Sequence, residues 1–187
     1  MKGYSASKDN RPRIFATVVI LSFALSSLVG QYIESLGSTS LIIMVFAQLV
    51  GFGFIASLIL KVFNKMLLLA AGIPYLDGKY TGTLISSFDD VKQIPVELSI
   101  RQKFFSIEIV LETSTSTSSN NATFIDNSLD QNIGLQYTYS NLPHQYGVLN
   151  QHAGTCNLTF NHDSIHGVYY TDPNRQNSGT ISVKRTK

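Results

Sequence analysis

Tryptophan is absent, cysteine occurs once, and only 14% of the 187 residues are charged, against about 25% in an ordinary soluble domain. The lone Cys156 excludes a disulfide scaffold. Fourteen Lys and Arg against 12 Asp and Glu leave a net charge of +2, too little for bulk electrostatic binding of DNA or RNA. Recognisable catalytic patterns are missing as well. There is no Gly-rich phosphate loop, and no Ser, His and Asp ordering stands out from a background rich in Ser and Asn. His144, His152, His162 and His166 are not spaced with cysteines or carboxylates in the way metal ligands are. Cys156 alternates with Leu158 and Phe160, as a core residue does. Neither catalysis nor a metal or cofactor is expected.

The missing charge has a location. Ile14 to Ile33 and Leu41 to Leu60 contain no charged residue, and each is about the 20 residues that a helix needs to cross roughly 30 Å of hydrocarbon. A soluble core helix this long would keep a polar face. A cleaved signal peptide is excluded for the first run by the second, which follows after the short link Glu34 to Ser40. Lys2, Lys8, Arg11 and Arg13 precede the first run and Lys61 and Lys65 follow the second, whereas the link has no cation. Positive flanks stay cytoplasmic, which predicts a hairpin with both termini inside the cell. Ser22, Ser26 and Gly30 recur every four residues on the first helix, and Ala47 and Gly51 do so on the second, a spacing that lets helices approach closely in lipid. Gln48 at mid-span predicts an interhelical hydrogen bond, within the hairpin or between protomers. Val62 to Ile73 reads as an interfacial extension ended by Gly72 and Pro74.

After Pro74 the period becomes two. Tyr80, Gly82 and Leu84, then Val96, Leu98 and Ile100, then Ile107, Ile109 and Leu111 alternate with more polar neighbours, the pattern of half-buried strands. Further strands are predicted around Thr123 to Ile125, Leu135 to Tyr139, Cys156 to Phe160, Ile165 to Tyr170 and Thr180 to Lys184. Asp77-Gly78, Asn120-Asn121, Asn161 to Asp163 and Asn174 to Gly179 supply turn chemistry. Eight short antiparallel strands predict a small β-barrel able to hold side chains or one small ligand; a β-sandwich is the alternative. The fold class is thus a membrane-anchored all-β protein. Residues 1–13 form a basic cytoplasmic flank, 14–73 a transmembrane hairpin with its extension, and 74–187 a cytosolic ligand-sensing barrel.

Beyond Pro74 eight cations face ten carboxylates, so an anionic ligand needs local donors. Arg101 and Arg175 are candidates because a guanidinium pairs with two phosphate oxygens at once, with His152 among the supporting groups. Ser114 and Ser116, with Ser118, offer hydroxyls at the barrel mouth. Tyr137 and Tyr139 share one strand face, and each base stacked on such a ring contributes about 1–3 kcal/mol. Gln102 shares the inward phase of Leu98 and Ile100, as a buried amide tied to backbone or as a pocket donor. Arg101 faces outward on strict alternation, unless a bulge near Phe104-Phe105 re-aims it.

The layout of a short basic N-terminus, two spans and a β domain entered through Tyr75-Leu76-Asp77-Gly78-Lys79-Tyr80-Thr81-Gly82-Thr83 resembles the two-transmembrane, β-strand-rich effectors of bacterial CBASS anti-phage systems. Ile100-Arg101-Gln102-Lys103-Phe104, the run Thr113 to Ser119, Tyr137-Thr138-Tyr139, His152-Ala153-Gly154-Thr155 and His166-Gly167-Val168-Tyr169 follow in the order of that family. Tyr80 departs from it, standing where Trp is expected. The resemblance implies a mechanism. A coupled nucleotidyltransferase makes a cyclic oligonucleotide, most simply a cyclic dinucleotide, and the barrel binds it. The hairpins then assemble as a homo-oligomer in the lipid bilayer of the bacterial inner membrane, whose disruption kills the infected cell. Two other readings stand beside it: an anchored barrel that binds a lipid or other apolar ligand, with a lumen lined by aliphatics, and a passive membrane scaffold.

Overall fold

Helix α1 (Arg11–Ser35) starts three residues before the uncharged run, and α2 (Leu41–Val62) covers the second run. An Asp9 carboxylate oxygen accepts from the Arg11 backbone N–H at 2.9 Å, and Pro12, which has no N–H to leave unpaired, sits in the first turn. A short α3 (Asn64–Ala70) follows. It stops before Gly72, whose φ of 78° lies in the left-handed region that glycine adopts freely. The computed structural model describes residues 1–35, 37, 40–87, 92–128, 132–144, 151–172 and 177–186, with the side chain of Lys92 excepted. It has two units, Asp9–Gly72 and Met1–Lys8 with Ile73–Lys187.

The helical unit has an outward face suited to lipid. Leu41, Ile42, Phe46, Leu49, Val50 and Phe54 are all exposed, an apolar patch that no water-facing surface of ordinary size carries. Both α1 and α2 are long and apolar enough to cross a membrane. They touch each other through polar and small residues. Ser26 Oγ donates to the Gln48 carbonyl at 2.7 Å, and Gln48 Nε2 donates to Ser27 Oγ at 2.7 Å. The predicted Gln48 bond therefore lies within the hairpin. Ser22 and Ser26 are buried, and a Cβ on Gly51 would lie 3.1 Å from Ser26 Oγ. Ala47 is exposed and the space beside Gly30 is open, so those two small residues take no part in this contact.

The other unit is a closed barrel. Its strands are β3 (Gly78–Ser86), β4 (Lys92–Gln102), β5 (Ser106–Glu112), β6 (Ser116–Asp126), β7 (Ile133–Pro143), β8 (His152–Asn161), β9 (Ser164–Thr171) and β10 (Ser178–Arg185). Each pairs antiparallel with the next, and β10 returns to β3. All the predicted strands are present and mostly longer than their apolar cores. Asn120-Asn121, expected as a turn, lies inside β6 at a register shift between Asn120 and Ala122. There the Asn120 amide does the work of a strand neighbour: Oδ1 accepts from the Ile109 N–H at 3.0 Å and Nδ2 donates to Thr123 Oγ1 at 2.9 Å.

Inward side chains divide the lumen into two halves. Where residues 73–77 lead into β3, the interior is apolar and filled: Tyr80, Leu98, Ile100, Ile107, Ile125 and Leu135 are fully buried, and burial of each such aliphatic contributes about 1.5–3 kcal/mol. At the opposite end polar residues, among them Ser116, Ser118, Asn141, His152 and Thr171, join aliphatics such as Leu84 and Ile181 in lining a cavity.

Two further strands come from the N-terminal flank. Direct β5–β6 pairing covers only Val110 to Glu112 against Thr117 to Ser119. Below it, β1 (Lys2–Gly3) pairs antiparallel with β5 through Ile107 and Ser106, and β2 (Ser5–Ala6) pairs parallel with β6 through Phe124 and Ile125. Tyr4 between them is buried, and Gln102 Nε2 donates to its hydroxyl at 3.4 Å. Lys8 and Asn127 close the strap with reciprocal bonds of 2.8 and 3.0 Å. The segment read from sequence as a basic flank thus fills the barrel seam with backbone hydrogen bonds, and the part of it inserted in the wall is largely uncharged.

Candidate functional site

Strand alternation aims Tyr137, Tyr139 and Asn141 of β7 into the lumen at successive levels, with Ser116 and Ser118 beside them on β6 and His152 and Cys156 on β8. Together with Tyr169 and Thr171 of β9 they border a cavity with about 770 Å³ between its walls, open mouth included, of which about 130 Å³ admits the centre of a water-sized sphere. The enclosed part is smaller than the roughly 300–1,000 Å³ of a typical small-ligand pocket, so it has room for only part of such a ligand.

Two glycines keep the lumen open. A Cβ on Gly154 would fall 2.5 Å from Tyr139 Cζ and 2.2 Å from the Tyr170 carbonyl oxygen. Likewise, a Cβ on Gly179 would fall 2.4 Å from Tyr169 Cε1. Each tyrosine therefore covers a glycine on the neighbouring strand and stays against the wall. The Tyr139 ring stands 6.5 Å from Tyr137 and 6.2 Å from His152, both edge-on.

The polar groups of the cavity are hydroxyls, amides and the His152 imidazole. Among the described lining residues there is no Lys, Arg, Asp or Glu. The Asn141 Nδ2 donates to Ser116 Oγ at 3.2 Å and lies 3.4 Å from His152 Nε2. Thr113 Oγ1 accepts from the Ser116 N–H at 3.0 Å, ordering the turn that opens β6. Burial pushes the Cys156 thiol up to about 12, and burial first of all raises the Tyr137 hydroxyl well above its ordinary range. Both groups are uncharged at neutral pH. Alkylation of Cys156 in the folded protein at pH 8 should therefore run at least about a thousandfold slower than in the denatured chain, which mass spectrometry would follow. Comparable rates would show that the thiol is neither buried nor shifted.

Of the contacts expected from sequence, Ser116, Tyr137, Tyr139 and His152 converge on the cavity. Ser114 lies exposed in the turn before β6. Two expected contacts lie elsewhere. Arg101 faces the outside of the barrel, 3.4 Å from Glu108 Oε2, because β4 alternates without a bulge to re-aim it. Gln102 points inward, as its phase requires, but at the filled end: its Oε1 accepts from the Leu76 N–H at 2.7 Å and its Nε2 donates to the Pro74 carbonyl at 3.1 Å. Arg175 lies outside the described residues. Asn141 was missed from sequence, although it shares the phase of Tyr137 and Tyr139; the predicted strand ended two residues too early. Among the described residues no group of three His, Cys, Asp or Glu is placed to hold a metal ion.

No curated protein matches the chain. A family model does: "Cap15, cyclic dinucleotide receptor domain" matches residues 71–185, which takes in every barrel strand from β3 to β10. Two long apolar helices followed by a closed eight-stranded barrel, with a cavity at one end, agree with that match and with the CBASS effectors the sequence resembles. The chain belongs to the Cap15 cyclic dinucleotide receptor domain family of CBASS effectors.

Proposed function

We propose that the cavity at the open end of the barrel binds a cyclic dinucleotide, and that binding drives the hairpins to assemble and disrupt the bacterial inner membrane. One observation carries the ligand assignment: within the family-matched region, the packed aliphatic interior gives way at one end to an open cavity where tyrosines, hydroxyls and an amide stand beside Leu84, Ile94, Leu111 and Ile181. Aromatic faces suit bases, and hydroxyls suit phosphate or ribose oxygens. A lipid-binding lumen would have few convergent donors, whereas Ser116, Ser118, Asn141, His152 and Thr171 all border this one. Ser116, Tyr137, Tyr139 and His152 are the contacts assigned here.

The membrane arrangement is that of a two-span hairpin with both flanks on the cytoplasmic side, where nucleotides are made. Pairing of residues 2–6 with β5 and β6 supports it, because the chain leaves the barrel before α1 and returns to it after α3. The cations at both flanks support the orientation. A coupled nucleotidyltransferase would supply the ligand. Assembly into a homo-oligomer responds to ligand only through a difference in affinity between the separate and assembled states, and a shift from 1:99 to 99:1 needs about 5.5 kcal/mol. The test is full-length protein in dye-loaded liposomes, titrated with cyclic dinucleotides that together carry all four bases. At least one should bind and release dye. Binding without release would refute the assembly step, and no binding at all would refute the receptor site.

A further inference from the structure

Among the described residues that line the cavity, one buried side-chain polar atom has no hydrogen-bond partner. Asn141 is only 9% exposed, and its Nδ2 is engaged by Ser116 and His152, yet its Oδ1 is buried and accepts no hydrogen bond. Buried acceptors are seldom left in this state, and those that are generally serve a purpose. Next to Asn141, one level deeper on the same face of β7, lies the Tyr139 ring, and Ser118 borders the same space. The described residues that line the cavity include no Lys, Arg, Asp or Glu, and His152 is the one imidazole among them. A phosphate taken into such a space would leave water with no guanidinium or ammonium among the described lining residues to meet it, whereas a nucleobase would bring an apolar face to the tyrosine and an N–H to the amide.

From this geometry we infer that the cavity takes a nucleobase rather than a phosphate, and that Asn141 Oδ1 reads an N–H on the edge of that base while the phosphates stay at the mouth. The inference rests on the proposed receptor function and adds the part of the ligand that enters and the residue that selects it. Asn141 is a specificity-determining residue on this account. Its unpartnered oxygen is held ready by the two contacts that fix its amide nitrogen. A site built around such a hydrogen bond discriminates strongly against a ligand that lacks the donor, because the acceptor is then left buried and unpaired.

Two measurements on the full-length protein test it. In the first, Asn141→Leu is titrated with the same four-base panel of cyclic dinucleotides as the wild type. The variant should lose about 10- to 100-fold in affinity for the best ligand. Its melting temperature should not fall, because the change removes an unsatisfied group. In the second, which needs no variant, uncharged nucleosides and inorganic pyrophosphate compete with the bound cyclic dinucleotide. The nucleoside of the preferred base should compete, its analogue methylated at the base N–H should compete about tenfold less well or worse, and pyrophosphate should not displace the ligand at matched ionic strength. Equal affinity of wild type and Asn141→Leu, or equal competition by the methylated nucleoside, would overturn the role of Asn141. Displacement by pyrophosphate without any by nucleosides would overturn the burial of a base. A wild type that binds no member of the panel would remove the receptor reading itself, a result distinct from the others.

Discussion

Replacing Tyr139 with leucine should weaken cyclic dinucleotide binding by about 5- to 150-fold, whereas Tyr139→Phe should retain most of it. The range is the 1–3 kcal/mol lost when a base loses an aromatic partner. The position is well defined. Tyr139 is buried at 5% exposure, one side of its ring covers Gly154, and it borders the cavity next to Asn141. Leucine keeps much of the apolar volume and so limits the stability loss, while removing the flat face. Phenylalanine keeps the face and removes only the hydroxyl. Calorimetric titration of the full-length protein, with thermal melting as the control for folding, separates the two. If both variants bind like wild type, bases do not stack on this ring. If both fail equally while remaining folded, the hydroxyl rather than the face is the contact.

The second large effect is on stability and lies at the other end of the barrel. Tyr4→Ala should destabilise the barrel by roughly 3 kcal/mol, the lower part of the range for deleting a buried aromatic side chain. For a domain of this size, that is a fall in melting temperature on the order of 10 °C. The reason is the short β5–β6 pairing, which stops at Val110 and Ser119 and leaves the lower seam to residues 2–6. Tyr4 supplies the side chain that fills it, and its hydroxyl meets the amide of Gln102, which in turn holds Pro74 and Leu76. Ligand affinity at a temperature where the variant is folded should change little, because the cavity is lined by the opposite ends of the strands. An unchanged melting temperature would mean that the strap is dispensable for the barrel.

Much of this architecture is legible from residues alone, for identifiable reasons. Uncharged runs of bilayer length leave few alternatives to spanning helices, and strict alternation at Val96, Leu98 and Ile100 fixes both a strand and its inward face. Ser116 and Ser118 are harder to place. They look like loop residues because hydroxyls are common in turns, but here they stand on the inner face of β6, where the open end of the barrel tolerates polar side chains. Asn120-Asn121 misleads for a related reason: a side-chain amide that closes a turn serves equally well to bridge a strand irregularity. The strap is invisible as a pattern, since strands of two residues have no period. Its pairing depends on where β5 and β6 diverge, which is a property of the closed barrel rather than of residues 2–6. Arg101 is the converse case. Its chemistry suits phosphate, but the alternation that defines its strand places it outside.

The central claim is that a cyclic dinucleotide occupies the open end of this barrel. The most direct test is a structure of the full-length protein bound to the tightest member of the four-base panel. The account predicts ligand density inside the cavity, with one base against Tyr139 and its edge within hydrogen-bond distance of Asn141 Oδ1, and with the phosphates toward the mouth. Ligand on the outer wall beside Arg101, or a base-free cavity holding the phosphates, would contradict it.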